Sequence, residues 1–196
     1  LTRSGKRLCS IAVIVSAVAG AAVAGQSLPP FRSATDQFTL VRPSRAAPTT
    51  AIVALDGTTT GLGRYRGKVV VLNFWAIWCL PCVHEMPALD RLAATSDHDH
   101  IAVVAVSIDR AGVAAVAPFA ASHQLTHAAI YLDPDQRLGS LSSDHIAAGA
   151  LPLWGLPISY IIDKEGLVVG YLTGAAKWDS EAARNFLEYV FSHSAP

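Results

Sequence analysis

Hydrophobic residues fall along this chain in two kinds of run. Val69–Trp75 (VVVLNFW) and residues 101–109 (IAVVAVSID) are almost continuous apolar stretches rich in β-branched side chains, the pattern of strands buried on both faces. AIVALDG (51–57) predicts a further strand, followed by a turn-rich connection carrying Gly57, Gly61, Gly63 and Gly67, and AIYLD (129–133) predicts a short one. ISYIID (158–163) and LVVGYLTG (167–174) flank Lys164, Glu165 and Gly166, a hairpin connection with glycine at the left-handed position.

Helical spacing appears between these runs. After residue 79, Cys82, Met86, Leu89 and Leu92 share one face, and Pro87 is expected to kink the helix. Residues 111–125 predict a helix interrupted near Pro118, and residues 135–151 a helix broken around 139–143. The last helix, 179–193, has Asp179 or Ser180 as N-cap, with Ala182, Phe186, Tyr189 and Val190 facing inward. The order strand-helix-strand-helix-hairpin-helix predicts an α/β domain with a mixed central sheet covered on both sides.

The first fifty residues follow neither pattern. Arg3, Lys6 and Arg7 precede an uncharged apolar run from Leu8 to about Gly25, the layout of an export signal, either cleaved or kept as a membrane anchor. Cys9 falls at the start of that run and reads as a small apolar residue within it. Residues 26–50 are rich in proline, serine and arginine and read as a spacer, with FTLV (38–41) as a candidate edge strand. The expected organisation is therefore 1–25 signal or anchor, 26–50 spacer and 51–196 folded domain. Such a chain meets the membrane through its N-terminus and puts its domain in the periplasm or an equivalent outer compartment.

Composition narrows the function. The 196 residues are 52% hydrophobic and 15% charged with zero net charge, so no overall field draws the protein to nucleic acid. Three cysteines are too few for a disulfide-stapled scaffold. Two of them, Cys79 and Cys82, form a single C-x-x-C with no second pair and no paired histidines at zinc-finger spacing from it, which argues against structural zinc. The histidines of SDHDH (96–100) read as a solvated loop, and the glycines near Gly61 lack a phosphate-binding pattern. No cofactor or metal is expected.

The thiol pair sits where a buried strand gives way to a helix start. Unpaired N–H groups and the helix dipole favour a thiolate at Cys79, and Cys82 lies one turn along the same face, placed to resolve a mixed disulfide. Pro81 fits the first helical turn. Glu85, three residues beyond Cys82, falls on the same face, and partial burial would raise its pKa toward a value useful for taking the Cys82 proton. Trp75 reads as core, whereas Trp78 beside Cys79 is a candidate contact surface. His84 is expected to face solvent.

VLNFWAIWCLPCVHEMPALDRL (71–92) resembles the active-site segment of membrane-anchored thioredoxin-like proteins of the TlpA, ResA and CcmG type, and GLPISYIIDKEGLVVGYLTG (155–174) resembles their second signature. GAAKWDSEAARNFL (174–187) is most similar to the TlpA branch. The resemblance covers residues 51 to the C-terminus and implies a thioredoxin fold and thiol-disulfide exchange. It implies that Pro157 is cis against the cysteines and that Glu85 matches the family's acid. Trp78, Leu80, Pro81 and Leu156, around the thiols, are the candidate partner-docking residues. The resemblance further implies disulfide-bearing protein substrates, the cysteines of apocytochrome c or of copper-site assembly proteins, and re-reduction by a membrane thiol reductant.

Four positions depart from the expected pattern. Thioredoxin itself has an aspartate six residues before the first cysteine, where this chain has Asn73, which cannot titrate. Ile77 and Ile158 replace the threonine or serine commoner in the family, and Leu80 too is an uncommon choice. Competing functions fit less well. A copper chaperone of the Sco type uses C-x-x-x-C. A thiol peroxidase needs threonine or serine at position 76, which is alanine. A general oxidase places histidine where Pro81 stands.

Overall fold

The computed structural model describes residues 28–142 and 149–193. The apolar segment expected as signal or anchor lies outside them; among the described residues no helix is long and apolar enough to cross a membrane. In chain order the elements are β1 (Thr39–Ala46), β2 (Ile52–Ala54), β3 (Thr59–Thr60), β4 (Val69–Trp75), α1 (Leu80–Thr95), β5 (Ile101–Ser107), α2 (Val113–Ser122), β6 (Ala129–Leu132), β7 (Gly139–Ser140), β8 (Leu151–Pro152), β9 (Ile158–Ile162), β10 (Leu167–Thr173) and α3 (Glu181–Ser192).

Eight strands form one mixed sheet in the order β1-β10-β9-β4-β5-β6-β2-β3. β4, β5 and β6 run parallel, joined by helical crossovers, while β9 pairs antiparallel with β4 and β10. All seven residues of β4 are buried. Successive side chains of a strand point to opposite faces, so both faces of the central sheet are covered. Val70, Val71, Leu72 and Phe74 fill these layers together with Leu89 and Leu92 of α1 and Phe186 and Leu187 of α3. In the β9–β10 hairpin Gly166 has φ 80°, a conformation that costs a residue with a Cβ.

Four expectations change. Residues 26–50 are not simply a spacer: from Leu28 on they pack onto the domain. Phe31 is buried with its ring 5.0 Å from Trp178 and 5.5 Å from Phe186, and β1 pairs antiparallel with β10. Gly170 permits this pairing, since a side chain there would meet Thr39 and the Phe38 ring. Burial of the Phe31 ring outweighs the polar composition that suggested a linker, so the folded unit takes in residues from Leu28 on and is not bounded at residue 51.

The helix expected over 135–151 is absent from its described part. Asp133 accepts N–H bonds from Arg137, Leu138 and Gly139, which fixes a tight turn, and Gly139 fits flush against the Phe74 ring. β7 then pairs with β8. α2 runs through Pro118 without interruption, because the proline removes one donor and the flanking turns keep theirs. In α3 the Ser180 side chain caps Ala183 N–H, and the buried face is Ala183, Phe186, Leu187 and Val190, a shift that leaves Ala182 exposed and Tyr189 half-buried.

Candidate active site

The parallel β4–β5 pairing carries the chain to the carboxyl end of the sheet, where β4 ends and the cysteines follow. Two bonds hold this junction. Ile108 N–H donates to the Trp75 carbonyl at 3.0 Å, and Ile77 N–H donates to Asp109 Oδ2 at 2.9 Å, an oxygen that also accepts from Ser107 Oγ at 2.7 Å. Trp75 is fully buried and leans on Phe119 at 5.2 Å. Asp109 was not singled out in the sequence; its only signal was a carboxylate ending a buried apolar run.

Cys79 is the N-cap of α1 and is joined to Cys82 in a disulfide. Its Sγ accepts the Cys82 N–H at 3.3 Å, so an amide at the positive end of the helix points at the sulfur that would become a thiolate. Pro81 occupies the first turn, where its missing N–H leaves no gap. Cys79 is 7% exposed and Cys82 1%, which makes Cys79 the sulfur a partner reaches first.

Outside the disulfide the surface is apolar. Trp78 is 65% exposed and Leu80 64%; Pro81 and His84 are exposed and Leu156 is half-buried. The Leu156–Pro157 peptide bond is cis. Ile158 is in register with Phe74 across β9 and β4, so Pro157 stands beside the end of β4 from which the cysteine loop departs. Trp154, three residues before Pro157, is 63% exposed. Sequence reading passed over it, although a tryptophan in a stretch with no apolar period was a usable sign.

Inside the disulfide the surroundings are polar and closed. Glu85 is 3% exposed. Its Oε1 accepts from Ala176 N–H at 2.8 Å and from the Trp178 indole N–H at 2.6 Å, and its Oε2 accepts from Asn73 Nδ2 at 3.1 Å. Burial pushes the carboxyl up to about 7, against the opposing pull of those three donors. Asn73 Nδ2 also donates to Ser159 Oγ at 2.9 Å. Trp178 and Ser159 were missed in the sequence, since nothing local marks Trp178 as a partner of a carboxylate 93 positions away or Ser159 as a partner of Asn73 86 positions away. Trp178 is itself backed by Phe31, and Ala34 N–H bonds the Ala175 carbonyl at 2.9 Å. The packed N-terminal stretch thus buttresses the loop that holds Glu85.

This geometry can exchange disulfides: an accessible sulfur at a helix start, a buried partner sulfur and a buried acid one turn on. Residues 43–170 match the AhpC/TSA family. The chain belongs to that thioredoxin-like family. Thiol-disulfide oxidoreductase ResA of Geobacillus thermodenitrificans is 34% identical over 136 residues, 69% of this chain and 72% of that protein. The thioredoxin-like protein YneN of Bacillus subtilis is 32% identical, covering 65% and 69%. Among solved structures, a putative thiol:disulfide interchange protein DsbE from Chlorobium tepidum superposes with TM-score 0.59 at 27% identity, over 78% of this chain and 99% of that one. The fold is that of thioredoxin, the type is that of TlpA, ResA and CcmG, and the activity is thiol-disulfide oxidoreduction. Among the described residues no three His, Cys, Asp or Glu side chains are grouped to hold a metal, and His98 and His100 sit in the loop before β5.

Proposed function

We propose that the protein is a dedicated reductant of disulfides in other proteins outside the cytoplasm, its domain held at or released from the inner membrane by the basic-apolar N-terminus. The apocytochrome c cysteines, or the thiols of copper-site assembly proteins in oxidase biogenesis, are the substrates that the family resemblance suggests. The observation that carries the reading is the closed carboxyl of Glu85, poised near neutrality one helical turn from Cys82.

The Cys79 thiolate attacks one sulfur of the target disulfide, forming a mixed disulfide and releasing the other target sulfur as a thiolate. Cys82 then gives its proton to Glu85 and attacks the Cys79 sulfur. The second target thiolate leaves, two electrons have passed to the target, and the Cys79–Cys82 disulfide remains. An oxidising compartment would hold the pair in that state, so a membrane thiol reductant must restore it. Pro81 favours reduction, because an oxidase motif uses histidine there to stabilise the thiolate. Trp78, Leu80, Pro81 and Leu156 form the partner-facing side, with the Leu156 backbone available to an extended segment.

A Cys82→Ala variant stalls at the mixed disulfide and captures its partner. Expressed in the periplasm, it should trap a c-type cytochrome precursor or a copper-assembly protein, released by reductant. Capture of an indiscriminate set of secreted proteins would instead mean a general thiol oxidase.

A further inference from the structure

The polar side chain whose bonding is most at odds with this proton transfer is Asn73. Its amide is fully buried on the central strand, with Nδ2 donating to Glu85 Oε2 and to Ser159 Oγ, and with Oδ1 buried and unpartnered. That set suits a carboxylate, which only accepts. It does not suit the acid. Glu85 Oε1 already takes a backbone N–H and an indole N–H, neither of which can accept, so a proton arriving from Cys82 is carried on Oε2. There it faces the Nδ2–H of Asn73, donor against donor, in a site closed to water.

A half-turn of the amide removes the conflict. Oδ1 then accepts from Glu85 Oε2–H and, once the hydroxyl rotates, from Ser159 Oγ–H. Nδ2 moves to the place now held by the unpartnered Oδ1, so each orientation leaves one end of the amide unpaired and neither is locked. The torsion involved is broad and two-fold. We propose that Asn73 is a positioning residue that reverses its amide whenever Glu85 gains or loses its proton, offering donors to the carboxylate and an acceptor to the acid, with the Ser159 hydroxyl following. This rests on Glu85 being the proton acceptor for Cys82. The unpartnered oxygen is then what allows the exchange, because a fully satisfied asparagine would hold one protonation state.

The other titratable groups on the surrounding elements are bonded elsewhere or face solvent. Cys82 is in the disulfide and His84 is exposed on α1. Lys177 is exposed, Asp179 takes Arg91 at 2.9 Å, Asp109 holds Ile77 and Ser107, and Tyr160 donates to the Pro152 carbonyl.

The test is an NMR titration of the oxidised full-length chain, following the Glu85 carboxyl carbon and the cross-peak between the Asn73 amide protons and the Ser159 β protons. From about pH 9 down to about pH 5 the carboxyl should titrate, and the cross-peak should fall several-fold with the same midpoint. In Glu85→Gln the Gln oxygen keeps Ala176 and Trp178, and its NH2 donates toward Asn73, so the amide should sit reversed at every pH. A carboxyl that titrates while the cross-peak persists overturns the amide reversal and leaves the Glu85 assignment standing. A carboxyl that does not titrate in this range overturns both. A Glu85→Gln spectrum with the wild-type high-pH cross-peak also overturns the reversal.

Discussion

On one side of the Cys79–Cys82 disulfide stand Trp78, Leu80 and Pro81, all exposed; on the other stand Glu85, Asn73, Ser159 and Trp178, all buried. The outer group offers apolar area with few polar bonds. The inner group offers polar bonds in a space closed to water. In the proposed mechanism, contacts on the outside would determine which protein presents its disulfide and would leave the charge state of the sulfurs alone. Contacts on the inside, out of a partner's reach, would govern when Cys82 gives up its proton. Changes on the two sides should therefore separate in what they alter.

The largest expected effect is on stability, from the inside. The folded pKa of Glu85 lies above its ordinary value of 4.5, at about 7. The stabilisation from holding its proton is complete below the unfolded pKa and is lost as pH rises through the folded one. Relative to Glu85→Gln, wild type should lose on the order of 3 kcal/mol between about pH 4 and about pH 8. Denaturant unfolding of the two oxidised proteins across that range measures it, and parallel curves would remove the buried-acid premise.

Next comes catalysis. Glu85→Gln should slow resolution of a mixed disulfide about a hundredfold near neutral pH, within the range of a lost general base. It should also abolish the limb of the pH-rate profile near 7. Outer changes should look different. Trp78→Ala or Trp154→Ala should raise KM for a protein disulfide about tenfold, roughly 1.4 kcal/mol of contact, with the pH profile unmoved. Small-molecule disulfides, which need no docking surface, should be reduced at the wild-type rate. The smallest effect is expected at His84: replacing this exposed side chain with alanine should change resolution less than about twofold, as surface substitutions commonly do.

What could be read from the sequence divides along similar lines. Strands β4, β5, β9 and β10, the helix start at the cysteines and the burial of Glu85 follow from local period and spacing. The partners of Glu85 do not. Trp178 reaches it only through the packing of the loop before α3, and Ser159 joins the network through Asn73 only by the register of β9; sequence spacing says nothing of either. The stretch from Leu28 misled for a related reason: its proline and serine content suggested a spacer, whereas Phe31 is a single ring whose burial depends on a pocket made by Trp178 and Phe186 far along the chain. At 135–151 the overriding feature was Asp133, whose three backbone bonds turn the chain before a helix can start.

Whether the inner carboxyl serves a reductant is tested most directly by the reduction potential of the Cys79/Cys82 couple, measured by equilibration with glutathione buffers at neutral pH. The account predicts a value on the thioredoxin side of the scale, about −270 to −220 mV, whereas a value near −120 mV, the strongly oxidising end, would contradict it.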